Sequence, residues 1–92
     1  MPDGAVHMVV RGRVQGVGFR FFARDEALQY GVTGWVKNLP DGSVEVYAEG
    51  EGEVLSAFIE RMKEGPGLGY VTDVEVERRA PYRAYTGFRI EF

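Results

Sequence analysis

Four residues of this chain have the side chains and the spacing needed to handle an oxyanion. Gly16, Gly18 and Arg20 lie in one short segment, and Asn38 lies further along the chain. Glycines let successive backbone N–H groups turn toward one point. A guanidinium can hold two oxygens of a phosphate group, and an amide can fix a water in one orientation. The pattern indicates a site for a phosphate-like anion, provided that the fold brings these residues together.

Each of these residues also has an ordinary structural explanation. A Gly-x-Gly before a helix often serves tight packing, an arginine at a helix start is usually a solvated charge, and Asn38 could begin the turn at 40–42. The loop before the predicted helix nevertheless leads into free backbone N–H groups, which attract anions. The candidate cradle consists of Gln15, Gly16, Val17, Gly18 and Phe19.

Other modes of phosphate binding do not fit this sequence. The chain has no Gly-Lys-Ser/Thr as in a nucleotide P-loop, and Phe21 stands where a dinucleotide-binding fingerprint needs its third glycine. It has no cysteine and no cluster of His, Asp or Glu at metal-ligand spacing. We therefore expect a site without a metal and without a cofactor.

The length and the net charge of the chain limit the number of domains and the kinds of partner that it can have. At 92 residues, the chain is expected to form a single domain, residues 1–92. Its net charge of -3 argues against a general nucleic-acid binder. Acidic residues are missing from 4–24 and again from 27–40, which favours an anion at both segments, although chance could also produce such gaps. We expect a small-molecule partner and no nucleic acid.

The N-terminal residues do not resemble a secretory signal, because Met1-Pro2-Asp3-Gly4 lacks a basic start and an apolar run. No apolar stretch approaches the length that spans a membrane. The expectation from these features is a cytoplasmic monomer without membrane contact.

The elements that must position the candidate residues follow from hydrophobic periodicity. Alternating apolar residues predict strands around 6–10, 32–38, 44–48, 74–76 and 88–92. A helix is predicted from Phe19 to Tyr30, where Gly31 ends it. A second helix carries one apolar stripe, made of Val54, Leu55, Phe58, Ile59 and Met62.

This order predicts an α+β ferredoxin-like split βαβ sandwich. It reads β-α-β-β-α-β with a short C-terminal strand, as an antiparallel sheet with two helices on one face. The first two strands, joined by a helical crossover, should be parallel and end at the same edge of the sheet. Asn38 continues the phase of Val36 and should face the helices, close to Arg20. Trp35 and Tyr47 are interpreted as packing on the sheet rather than as a platform for bases.

Two segments resemble the signature segments of the acylphosphatase family. The first is Val10-Arg11-Gly12-Arg13-Val14-Gln15-Gly16-Val17-Gly18-Phe19-Arg20, and the second is Gly34-Trp35-Val36-Lys37-Asn38-Leu39-Pro40-Asp41-Gly42. Val44, Gly50 and the Phe-Arg-Ile at 88–90 agree with the family as well. The resemblance covers essentially the whole chain.

The resemblance implies a metal-free hydrolase of acyl phosphates, which yields a carboxylate and inorganic phosphate. By resemblance, Arg20 binds the phosphate, the loop Gln15 to Phe19 supplies backbone donors, and Asn38 orients the attacking water. Two alternatives on the same fold remain open at this point: a non-catalytic module that binds an anion or carbamoyl phosphate, and an RNA-binding module. A purely structural domain with an incidental anion nest is a third.

Overall fold

Five strands and two helices build the protein in the computed structural model, which describes residues 2–92. The elements are β1 (Gly4–Arg13), α1 (Phe19–Tyr30), β2 (Thr33–Asn38), β3 (Val44–Gly50), α2 (Gly52–Glu64), β4 (Tyr70–Arg79) and β5 (Phe88–Glu91). The predicted order of elements is confirmed, including the short last strand.

The sheet has the strand order β4-β1-β3-β2-β5. The central pairs are antiparallel, and β1 and β2 run in the same direction on either side of β3. The sheet differs from the antiparallel expectation at one edge, because β5 pairs in parallel with β2. The connection 80–87 crosses from one edge of the sheet to the other, so β5 enters alongside β2 in the same direction.

Both helices cover one face of the sheet, as predicted. Alternate residues of β1 point into the core between sheet and helices, and Val6, Met8 and Val10 are fully buried. The two helices contribute buried side chains to the same cluster; they are Phe19, Ala23, Ala27, Leu55, Phe58, Ile59 and Met62. Burial of this face is the main favourable term in the stability of the fold.

The two helices differ at their N-terminal ends. Helix α2 has Glu53 in its first turn and Arg61 and Lys63 in its last, an arrangement that complements its dipole. Helix α1 has no acidic residue in its first turn. The positive end of α1 is therefore left without a compensating charge from its own sequence. Neither helix within residues 2–92 combines the length and the apolar character needed to cross a bilayer.

The helix-free face is covered at its centre by the connection 80–87. Tyr47 is only 1% exposed and stacks on Trp35 with ring centroids 6.0 Å apart. Tyr82 and Tyr85, which belong to the connection, also pack against Tyr47. Their ring centroids lie 5.6 and 5.5 Å from the Tyr47 centroid, respectively. The indole Nε1 of Trp35 donates a hydrogen bond to the Tyr85 hydroxyl at 3.2 Å. Trp35 and Tyr47 therefore pack against neighbouring rings on the sheet, as predicted.

A buried carboxylate anchors this covering segment. The Tyr47 hydroxyl donates to Glu49 Oε2 at 2.6 Å, and the backbone N–H of Arg83 donates to the same oxygen at 2.9 Å. Burial, followed by the hydrogen bond to Glu49, raises the pKa of Tyr47 to about 12. The neutral phenol is therefore the form that the fold favours.

This raised pKa predicts a loss of stability in alkali that depends on Tyr47. A pKa raised on folding contributes stability that is complete below the unfolded value, 10.0, and is lost as the pH rises through about 12. The free energy of unfolding should fall by on the order of 2–3 kcal/mol over that range. Urea titrations at pH 9 and near pH 12 measure the fall, which should be smaller in Tyr47→Phe. An equal fall in both proteins would assign it to other groups.

Candidate functional site

The two segments singled out in the sequence meet at the edge where β1 and β2 end. A cavity of about 180 Å³ opens there. Its lining residues are Val14, Gly16, Gly18, Phe19, Arg20, Phe21 and Asn38. The structure thus brings five of the seven candidate residues to one cavity, whereas Gln15 and Val17 do not line it.

The loop between β1 and α1 takes its shape from two glycines. Gly16 has φ 75° and Gly18 has φ 82°, both in the left-handed region that other residues rarely adopt. Gly18 is also the residue that caps the start of α1. The chain therefore turns sharply from the strand into the helix, with its backbone rather than side chains facing the cavity.

The start of α1 presents free hydrogen-bond donors to this cavity. The N–H of Phe22 bonds to the carbonyl of Gly18 at 2.9 Å, which makes it the first amide satisfied in the helical pattern. The amides before it have no carbonyl partner within the helix. With no acidic residue in the first turn, this end can stabilise an anion through both its amides and its dipole.

Arg20 lies at the same helix start with its charge uncompensated. Among residues 2–92, no carboxylate lies within ion-pair distance of its guanidinium. The guanidinium carbon instead lies 5.1 Å from the centre of the Phe92 ring. Stacking on an aromatic face orients a guanidinium without using its N–H donors. The donors of Arg20 therefore remain available to an incoming anion.

The position of Phe92 was missed by the sequence reasoning. The parallel pairing of β5 with β2 sets Glu91 opposite Lys37, so Phe92 follows directly beside the end of β2. Nothing in the alternation of the last strand indicates which neighbour it pairs with. The contact between Phe92 and Arg20 could be found only once that pairing was known.

Asn38 ends β2 on the helix-covered face. It pairs across the sheet with Val44, which belongs to the core beneath the helices. Its amide therefore lines the cavity from the sheet side, as its phase with Val36 predicted. An amide in this position has both a carbonyl oxygen and N–H groups to offer a water molecule.

The side chain of Gln15 makes two contacts that the sequence did not predict. Its Nε2 donates to the carbonyls of Leu39 and Ser43, both at 2.8 Å. The side chain thus ties the glycine loop to the turn that follows Asn38. Val17, which is 9% exposed, belongs to the hydrophobic core instead. Neither residue is among those that line the cavity, although both belong to the loop that leads into α1.

The turn after Asn38 is held by Asp41. The backbone N–H of Ser43 donates to Asp41 Oδ1 at 2.9 Å, and the Ser43 hydroxyl donates to the same oxygen. These hydrogen bonds, led by that of the hydroxyl, hold the pKa of Asp41 below its ordinary value. The ionised carboxylate of Asp41 is therefore the form that these two hydrogen bonds favour.

The chemistry that this cavity offers is that of donors and positive charge. Within residues 2–92, no group of three or more His, Asp or Glu side chains is placed to hold a metal ion. The cavity lining itself contains no acid and no histidine. Backbone amides, one guanidinium and one amide side chain together suit a phosphoryl group that is attacked by a water.

A family model, the sequences of known proteins and solved structures all match this chain to acylphosphatases. The family model described as Acylphosphatase matches residues 6–90. An acylphosphatase of Rhizobium etli is 53% identical over 73 residues, which are 79% of this chain and 78% of that protein. The crystal structure of acylphosphatase from Bacillus subtilis superposes with a TM-score of 0.93 at 40% identity, over 97% of this chain and 99% of the other.

A larger protein also contains a similar domain. Full-length HypF, in its phosphate- and nucleotide-bound form, matches with a TM-score of 0.82 at 29% identity. The match covers 100% of this chain but only 12% of HypF.

Proposed function

The chain belongs to the acylphosphatase family, and we propose that the cavity between the ends of β1 and β2 is where it hydrolyses acyl phosphates. The reaction cleaves the carboxyl–phosphate bond and yields a carboxylate and inorganic phosphate. The observation that carries the proposal is the meeting of a glycine loop, a helix N-terminus, Arg20 and Asn38 around one cavity.

In this proposal, the phosphoryl group binds at the start of α1. The backbone amides of the loop from Gln15 to Phe19 and the donors of Arg20 hold its oxygens. A guanidinium can contact two of these oxygens at once, which fixes the orientation of the group as well as its position. Charge on the equatorial oxygens grows in the transition state, and fixed donors stabilise it without reorganisation.

Asn38 holds the attacking water on the sheet side of the phosphorus atom. The water oxygen forms a new bond to phosphorus as the bond from phosphorus to the acyl oxygen breaks. The electron pair of that bond leaves on the carboxylate. An amide is too weak a base to keep the proton of the water, so the proton passes to a phosphate oxygen or to solvent.

The chemistry of the leaving group explains why the reaction needs so few catalytic side chains. A carboxylate is weakly basic and departs without protonation and without a Lewis acid. The same site offers no help to a strongly basic alkoxide. Substrate choice should therefore follow the basicity of the leaving group, and no metal ion is required in the proposed mechanism.

This mechanism predicts fast benzoyl phosphate hydrolysis in the presence of EDTA, and very slow hydrolysis of a simple alkyl phosphate monoester. Ultraviolet absorbance follows the first substrate, and released phosphate measures the second. Inhibition by EDTA, or rapid turnover of the alkyl ester, would contradict the metal-free mechanism.

We also propose that the protein acts as a monomer in the cytoplasm on a small-molecule acyl phosphate. The proposed mechanism supports the first point, because one copy of the chain supplies Arg20, Asn38 and the glycine loop, which are all the groups that the reaction needs. The composition supports the second, since small secreted domains commonly depend on disulfides and this chain has no cysteine. Gel filtration and cell fractionation test the two points.

A non-catalytic anion-binding role is the second candidate, and the similarity to a domain of phosphate-bound HypF favours it. The carbamoyl phosphate alternative belongs to this class. A folded protein that binds phosphate but turns over neither benzoyl nor carbamoyl phosphate would support it. The RNA-binding alternative is disfavoured by the net charge of -3 and by the burial of Tyr47, which is covered at the centre of the helix-free face.

A further inference from the structure

One aromatic ring lines the candidate cavity without taking part in binding the phosphoryl group. Phe21 is 53% exposed, although it lies beside two deeply buried neighbours in the lining, Val14 and Phe19. Exposing so much of an aromatic side chain forgoes favourable burial. Because helix side chains tilt toward the N-terminal end of their helix, the ring of Phe21 leans back over the glycine loop.

Helix geometry places Phe21 on the side of α1 that faces away from the sheet, whereas Asn38 lies on the sheet. Phe19 is 1% exposed and faces the sheet, the side from which Asn38 lines the cavity. Successive residues of an α-helix are about 100° apart, so Phe21 lies about 200° around the axis from Phe19. It therefore points away from the sheet. Asn38 and Phe21 lie on opposite sides of the start of α1.

The positions of Asn38 and Phe21 match the geometry of in-line phosphoryl transfer. The attacking and leaving oxygens lie roughly in line through the phosphorus atom. If Asn38 holds the water on the sheet side, the acyl oxygen must depart on the far side, toward Phe21. The other lining residues on the cavity wall are buried side chains, glycines or polar groups.

We infer that Phe21 forms the wall that receives the acyl group of the substrate, so that the site prefers acyl phosphates with a flat aromatic or extended apolar acyl group. This inference rests on the proposed function. Arg24 supports the ring, with its guanidinium carbon 5.2 Å from the ring centre. Arg24 is not among the residues that line the cavity.

The test compares kcat/KM for benzoyl phosphate and acetyl phosphate, which share the reacting bond and differ in the acyl group. In Phe21→Ala, the ratio of benzoyl to acetyl phosphate should fall about three- to tenfold, the range expected for the loss of one aromatic contact. Phe21→Tyr should keep the ratio of the native protein. Leu28→Ala, which changes another exposed apolar residue of α1 outside the cavity, should also keep it.

The outcomes separate this inference from the function on which it rests. A native protein that hydrolyses both substrates, with a ratio unchanged in Phe21→Ala, would overturn the acyl wall and leave the function intact. A native protein that hydrolyses neither would overturn both. A similar fall in Leu28→Ala would assign the effect to the helix rather than to Phe21 and would also overturn the inference.

Discussion

Replacing Asn38 by alanine is expected to lower kcat for benzoyl phosphate by about 10²- to 10³-fold, the usual loss for one well-placed polar group in the transition state. Phosphate should still bind, because its proposed donors come from the loop, the start of α1 and Arg20. Turnover and the inhibition constant of inorganic phosphate measure the two effects separately.

Thr33→Ala is the matched control, because it alters the opposite end of the same strand, β2. It should keep both turnover and phosphate inhibition. Loss of phosphate binding together with activity in Asn38→Ala would mean that the amide maintains the shape of the cavity instead of holding the water.

Replacing Arg20 by lysine is expected to lower kcat/KM by about 10²-fold or more, although the positive charge is kept. Lysine offers a point charge on a flexible stem, whereas the guanidinium presents planar donors that match two phosphate oxygens. Lysine would also lose the stacking of the guanidinium on Phe92. Phosphate should bind more weakly as well, since the proposed site has Arg20 contact phosphate in the ground state.

The matched control for Arg20→Lys is Arg89→Lys. Arg89 is an exposed arginine on β5 that does not line the cavity. That variant should behave like the native protein. A near-normal kcat/KM in Arg20→Lys would refute two-point binding and leave only a requirement for positive charge.

Much of this fold could be predicted because its local patterns agree with its global arrangement. The alternation of Val6, Met8 and Val10 marks one buried face of β1, and Gly31 ends α1 where the sequence indicated. The parallel course of β1 and β2 followed from the helical crossover between them. This parallel arrangement predicted that Asn38 and Arg20 lie close together, because parallel strands place their C-terminal ends at the same edge of the sheet.

What could not be predicted depends on contacts between segments far apart in the sequence. The side chain of Gln15 bonds to the carbonyls of Leu39 and Ser43, and no local pattern reveals an amide paired with a distant turn. The connection 80–87 has no periodicity, yet it covers Tyr47. The four residues of β5 are too few to indicate a partner strand, which hid the contact between Phe92 and Arg20.

The position of β3 between β1 and β2 has a consequence for how the protein folds. The first strand finds its partners only at 44–50 and 70–79, so long loops must close before it is paired at all. Chains dominated by such distant pairings fold slowly, in milliseconds to seconds. The glycine loop and Asn38 come together only when β3 joins both strands, and no smaller part of the chain assembles them. Recovered catalysis after dilution from denaturant should therefore report completion of the whole sheet.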